Sequence, residues 1–168
     1  FFLLTKGDLC RLAGESLGAL AKVSMSCDEG EGHKPDPMLH CGLCTSCLFR
    51  RIALHAAGLV PDTTHYRDAK TRRHGVYEIA AFEHHAAVLA SCRSFDDLVE
   101  LDPDVRFATS LPVVEPHDET GAARAVFTMY QRYAAEIEAY FSAARPTVAA
   151  SPRQPRRERE RDLFSAVR

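Results

Sequence analysis

Ser26-Cys27 and, after 12 intervening residues, His40-Cys41-Gly42-Leu43-Cys44-Thr45-Ser46-Cys47-Leu48-Phe49-Arg50 hold four of the chain's six cysteines. Disulfides at spacings this tight would be strained, so metal binding is the expected use of these thiols. A Cys-x-x-Cys turn curls its backbone around one ion and brings two sulfurs to it. Two such turns overlap here, at 41–44 and 44–47, the second running into a helix, and Cys27 closes the set from an extended segment. Zinc takes four ligands in a tetrahedron, and an all-sulfur set suits a structural site. Cys27, Cys41, Cys44 and Cys47 are therefore the expected zinc ligands.

An iron–sulfur cluster also uses four thiolates, and Cys-x-x-Cys-x-x-Cys resembles ferredoxin spacing, but the further Cys-Pro of that run is missing after Cys47. A redox disulfide is the remaining alternative. His40 precedes Cys41 and could compete as a ligand. With four cysteines saturating the ion, a supporting or substrate-side role is expected instead. His33 reads as a solvated loop residue, and Cys10 and Cys92 as small packing residues. His84 and His85 are adjacent on a helix and point apart, which makes them a poor metal pair.

The surrounding 168 residues are 46% apolar and 26% charged, with a net charge of −2. These values fit a globular domain with an appendage and exclude wholesale disorder and a surface basic throughout. No apolar run reaches the roughly 18 residues of a membrane helix. Phe1-Phe2-Leu3-Leu4 is too short for a signal-peptide core. The chain opens inside an apolar stretch without a Met, as though cut from a longer protein.

Helical patterning predicts a helix over 5–17, capped by Thr5 with Asp8 at the capping-box position, facing inward through Leu9, Leu12, Ala13 and Leu17 and ending at Gly18. An extended run is expected from Leu20 to Met25, and a loop over 28–40. A second helix is predicted from about Ser46 to Ala57, with Leu48, Phe49, Ile52, Ala53 and Ala56 inward, stopped at Gly58 and Pro61. Residues 59–66 read as turn and extended chain, and 67–75 as basic and irregular. Further helices are expected over 76–91 (Ile79, Phe82, Ala86, Leu89 and Ala90 inward) and over 95–101, capped by Ser94. Pro103 and Pro112 bracket an expected extended piece. The longest helix, 121–144, capped by Asp118 or Thr120, carries Val126, Tyr130, Tyr133, Ile137, Tyr140 and Phe141 on one stripe, which reads as a packing face. Residues 146–168 read as a disordered tail.

The first 66 residues resemble the C-terminal part of 7-cyano-7-deazaguanine synthases, ATP-dependent enzymes of the PP-loop ATP-pyrophosphatase group. Leu4-Thr5-Lys6-Gly7-Asp8-Leu9 resembles the family's Thr-Lys-x-Glu/Asp-Ile helix start, and Ser26-Cys27 its Trp-Ser-Cys. His40 to Arg50 resembles its His-Cys-Gly-x-Cys-x-x-Cys-x-x-Arg. Gly58-Leu59-Val60-Pro61-Asp62-Thr63-Thr64-His65-Tyr66 is similar to its Gly-hydrophobic-Asp-Pro-Thr-x-Tyr ending. The resemblance implies a mainly α fragment of an α/β PP-loop, adenine-nucleotide α-hydrolase-like protein. The implied parts are the end of the ATPase domain at 1–26, a zinc-binding region at 27–66, a helical extension at 67–145 and the tail at 146–168.

It further implies a cytoplasmic ligase of queuosine biosynthesis that converts 7-carboxy-7-deazaguanine and ammonia to 7-cyano-7-deazaguanine, or acts on a related deazapurine. The implied cofactors are zinc on Cys27, Cys41, Cys44 and Cys47, and ATP. Lys6 would lie near the nucleotide's phosphates, and His40 and Arg50 on the substrate side. The family's Ser-Gly-Gly-x-Asp-Ser phosphate motif is absent from these residues, as is any Gly-rich phosphate loop, so most of the ATP site is expected upstream. Met25 stands in place of the Trp, and the loop from Cys27 to Cys41 is longer than usual. Expected partners are the deazapurine and the upstream domain, with a homodimer admitted; neither a membrane nor direct nucleic-acid contact is expected. The competing reading is a non-enzymatic zinc module that binds a protein or nucleic acid, with Lys70-Thr71-Arg72-Arg73-His74 meeting phosphates.

Overall fold

A computed structural model describes residues 3–14, 16, 20, 24, 26–28, 40–60, 62, 64, 66, 75–110 and 119–144. These are mainly helical: α1 (Lys6–Ala13), α2 (Thr45–Ala56), α3 (Gly75–Ser91), α4 (Phe95–Leu101), a 3-10 segment (Pro103–Ser110) and α5 (Glu119–Ala144). The only pairing outside helices among the described residues is a parallel bridge between His40 and Tyr66. No described helix is long and apolar enough to cross a membrane. The loop at 29–39 with His33, the basic stretch 67–74 and the tail 146–168 lie outside the described residues.

α5 is the organiser. Its stripe buries Val126, Ile137, Tyr140 and Phe141, with Tyr130 and Tyr133 half-buried. One core joins Ile137, Tyr140 and Phe141 to Leu48 and Ile52 of α2 and to Phe82 and Ala86 of α3. A second joins Val126 and Ala134 to Leu89, Cys92, Leu98 and Val105. The expected packing face is therefore the spine of the molecule, and Cys92 is a packing residue. Polar groups complete the join. The Gln131 side-chain amide donates to the carbonyls of Leu89 at 2.9 Å and Cys92 at 3.2 Å, which satisfies acceptors at the α3 C-terminus.

α1 attaches differently. Thr5 and Asp8 form the expected capping box, and their side chains reach α5. The Thr5 hydroxyl donates to Glu136 at 2.6 Å. Arg11 bonds Asp8 at 2.6 Å and Glu136 at 3.0 Å, and Arg132 lies 3.3 Å from the other Asp8 oxygen. Gly7 is buried in this join. A Cβ there would meet the Glu136 carboxylate and would lie 2.7 Å from the Ala56 methyl, so only glycine allows the approach.

Several expectations need correction. Leu9 and Leu12, expected inward, are 38% and 68% exposed, and Ala13 is exposed. The docking face of α1 is the polar cap with Gly7, and apolar periodicity is blind to such a face. α1 stops at Gly14, whose φ of 57° and bonds to the Cys10 and Arg11 carbonyls terminate it four residues before Gly18; Leu17 and Gly18 are outside the described residues. Leu20 is helical rather than extended, and the Ser24 N–H donates to its carbonyl at 2.9 Å; residues 21–23 and 25 of the expected run lie outside the described residues.

The segment after Pro103 is a 3-10 helix. It buries Val105 against α4 and α5, and Asp102 accepts from the Asp104 N–H at its start. α5 begins at Glu119, which puts Thr120 inside the helix and rules it out as the cap; Asp118 lies outside the described residues. Ala90 is exposed. α2, α3 and the Ser94-capped α4 match the predicted pattern.

Two measurements check this account. Ile137→Ala should cost about 2–5 kcal/mol in denaturant melts, whereas Leu12→Ala should stay within about 0.5 kcal/mol. Burial alone would raise the Asp8 pKa, but bonds from the Thr5 N–H and Arg11, with the Arg132 charge, hold it below its ordinary 3.8. A depressed carboxyl contributes stability that is complete above the unfolded value and is lost as pH falls through the folded one. Thermal melts from pH 6 to 3 should show a stability loss below about pH 4 that Asp8→Asn makes shallower.

Candidate metal centre

The sulfurs of Cys27, Cys41, Cys44 and Cys47 all lie within 4.8 Å of one another. Cys41 and Cys47 are 3.9 Å apart, and Cys44 and Cys27 are 4.0 Å apart. A tetrahedron of sulfurs around one zinc at about 2.3 Å has edges of about 3.8 Å. The set fits a single ion, whereas a four-iron cube would hold its thiolates farther apart. All four cysteines are free thiols in this structure.

Local backbone builds the site. Gly42 has φ of 81°, a left-handed turn that a side chain resists, and a Cβ there would also lie 3.2 Å from the Tyr66 ring. The turn aims the N–H groups of Leu43 and Cys44 at the Cys41 sulfur, at 3.4 and 3.1 Å. The Cys41 N–H points to the Cys27 sulfur at 3.3 Å. Such donors favour thiolate. Burial raises the Cys41 thiol, but these bonds outweigh it and its pKa falls. Burial pushes Cys44 up to about 11 and Cys47 higher still, so those two release their protons readily only to a metal.

Cys44 occupies the N-cap of α2 but makes no side-chain cap bond, since its sulfur faces the cluster. Asp28 takes over that task. It accepts from the Ser46 N–H at 3.3 Å and hydroxyl at 2.6 Å, which places its charge at the favourable end of the helix dipole. The contact also ties the chain after Cys27 to the double turn.

His40 is 2% exposed. Its Nε2 meets the Ser24 carbonyl at 3.2 Å and its Nδ1 faces the Cys47 sulfur at 3.8 Å. A carbonyl only accepts, so Nε2 carries a proton. Arg50 donates to the Thr64 hydroxyl at 3.1 Å and the Ser24 hydroxyl at 2.9 Å. It thus joins α2 to the segment holding Thr64. Lys6 is exposed, its ammonium 4.9 Å from the Phe49 ring centre. His84 and His85 are exposed and outside the cluster.

Arg51 escaped the sequence reading. Its guanidinium lies 5.0 Å from the Tyr66 ring centre and 5.6 Å from that of Tyr140, and it donates to the Gly42 carbonyl at 3.3 Å. Tyr66 in turn donates to Asp62 at 2.6 Å, and Asp62 accepts from the Thr64 N–H at 2.9 Å. The alternation of Arg50 and Arg51 around α2 was the available signal: adjacent helical positions diverge, so the two cations serve different sides. Asp28 was legible only as a loop residue, since nothing local names its partner eighteen positions on.

Comparison with known proteins yields partial matches. The chain is 43% identical over 63 residues to a 7-cyano-7-deazaguanine synthase of Porphyromonas gingivalis, covering 38% of this chain and 25% of that protein. It is 41% identical over 66 residues to proteins of the same name from Cupriavidus taiwanensis and Cupriavidus necator, covering 39% of this chain and 26% of each. The matched part is about a quarter of the length of these curated relatives. No family model matches the chain, and no solved structure does. Over rather more than a third of its length, the chain is similar to proteins named 7-cyano-7-deazaguanine synthase.

Proposed function

We propose that the chain is the zinc-holding C-terminal part of an ATP-dependent ligase of the PP-loop type. The reaction proposed for the whole protein converts 7-carboxy-7-deazaguanine and ammonia to 7-cyano-7-deazaguanine, or modifies a related deazapurine, in the cytoplasm. The observation that carries the reading is the set of four sulfurs spaced for one tetrahedral ion, within a chain similar in part to synthases of that name. The proposed division is 1–26 as the end of the ATPase domain, 27–66 as the metal region and 67–145 as a helical extension. The exposed Leu9 and Leu12 on α1 give an upstream domain an apolar face to cover.

Zinc, when bound, would cross-link the four thiolates and stiffen this loop, with no redox chemistry. Cys27, Cys41, Cys44 and Cys47 hold it. His40 packs beside Cys47 from its buried position, which favours the supporting role over direct substrate contact. Arg50 links Ser24 and Thr64 and offers a positive edge toward a carboxylate-bearing substrate. Lys6, exposed at the first turn of α1, is available to a phosphate. Positioning and charge neutralisation do most of the work in phosphate chemistry, and the residues for that step are assigned to the upstream part.

Metal analysis of protein purified without added zinc should find about one equivalent per chain, zinc being the ion; under half an equivalent of any metal would count against the site. Cys44→Ser should lower that content and speed hydrogen exchange in residues 27–58 far more than in α5. The 168 residues alone should leave ATP intact, whereas a protein joining them to a PP-loop domain should form the nitrile from the carboxylate. ATP cleavage to AMP by the isolated chain would overturn the division of labour.

A further inference from the structure

The carbonyl of Gly42 and the N–H of Leu43 belong to one peptide group, and a peptide group is planar. Whatever holds the oxygen at one end therefore aims the hydrogen at the other. The N–H end points to the Cys41 sulfur at 3.4 Å. The oxygen end accepts from the Arg51 guanidinium at 3.3 Å. Arg51 thus grips the back of a turn whose front faces a sulfur of the cluster. Gly42 makes such a grip useful. Its φ of 81° is one of several conformations open to a glycine, so its own backbone leaves the peptide plane free to rock.

A loose arginine would grip poorly, because its long side chain samples many rotamers. Here two rings confine it. The guanidinium lies 5.0 Å from the Tyr66 ring centre and 5.6 Å from that of Tyr140, within the range at which aromatic faces attract a cation. Tyr66 is tied to Asp62 by a bond of 2.6 Å. Tyr140 is 8% exposed and belongs to the core that α5 makes with Leu48, Ile52 and Phe82. Packing of α5 therefore sets the place of Tyr140, and contacts run from that core through Tyr140, Arg51 and the Gly42–Leu43 peptide to Cys41. We propose that Arg51 is a positioning residue for the metal centre, and that through it α5 governs how long a bound ion is retained. Without the grip the turn can rock, the Cys41 sulfur leaves its vertex more often, and the ion departs sooner. Partners that orient metal ligands in this way typically change affinity by about 10–100-fold when removed. α5 lies beyond the first 66 residues, which carry the family resemblance, so the extension acquires a task of its own as a clamp on the metal loop. The inference rests on the metal reading of the four sulfurs and not on the ligase reaction.

The test follows zinc transfer from the full chain to a chromophoric chelator. Arg51→Met, which keeps the stem and loses the fork, should release zinc about ten-fold or more faster. Tyr140→Leu, which removes one of the two rings, should act in the same direction, and the double variant should be no faster than Arg51→Met alone, since both cut one chain of contacts. Tyr140→Phe keeps the ring and should retain zinc as the unchanged chain does. Val126→Ala weakens α5 in its other core and should leave release unchanged. In cobalt-loaded protein the sulfur-to-metal charge-transfer band should shift in Arg51→Met and Tyr140→Leu and stay in place in Tyr140→Phe and Val126→Ala, a signature that general destabilisation does not produce. Arg51 is only half-buried, so Arg51→Met keeps the proposal falsifiable even where Tyr140→Leu fails to fold. Unchanged release with an unchanged band in Arg51→Met would overturn the proposal. So would equal acceleration by Val126→Ala, which would make release a matter of global stability. An unmodified chain that holds under half an equivalent of metal would defeat the metal reading itself, and this inference with it.

Discussion

Four thiol sulfurs held within 4.8 Å of one another are a constraint that the chain cannot satisfy with apolar packing. As thiolates they repel, and as buried thiols their polar groups are poorly served; a cation resolves both. Most of the distinctive geometry nearby stems from that demand. Gly42 turns left-handed so that two N–H groups reach one sulfur. Cys44 gives up the capping of α2, and Asp28 supplies it from across the loop. His40 is sunk beside Cys47. The orientation of α2 is thereby set at its first turn, and α2 presents Leu48 and Ile52 to α5 and α3. A local requirement of a few sulfurs thus reaches the main core.

The two attachments of the α2 layer to α5 differ in kind. On one side the contact is apolar, through Ile137, Tyr140 and Phe141. On the other, α1 meets α5 through Thr5, Asp8, Arg11, Arg132 and Glu136. The apolar contact supplies burial, which is non-directional. The polar one fixes direction, because each carboxylate oxygen has a specified donor.

That difference explains what could be read from the sequence. The cysteine cluster was legible because three of its four members are close in the chain and their spacing is a property of the local backbone. The α5 stripe was legible because Val126, Ile137, Tyr140 and Phe141 repeat at helical intervals. The orientation of α1 was not, since Leu9 and Leu12 mimic an inward face while the real one is a polar cap packed on Gly7. The 3-10 segment after Pro103 was hidden because a proline marks a boundary and leaves open the conformation beyond it. Arg51 and Gln131 were invisible for a third reason. Their partners, Tyr66, Tyr140 and the carbonyls at the end of α3, are defined only once the helices have met.

Arg51 lies against both Tyr66, in the segment beyond α2, and Tyr140, far along α5, and bonds the carbonyl of the metal turn between them. Side chains therefore join α5 to these regions, beside the backbone bridge between His40 and Tyr66. Two separately made polypeptides, divided between Tyr66 and Gly75, should find each other and rebuild one body.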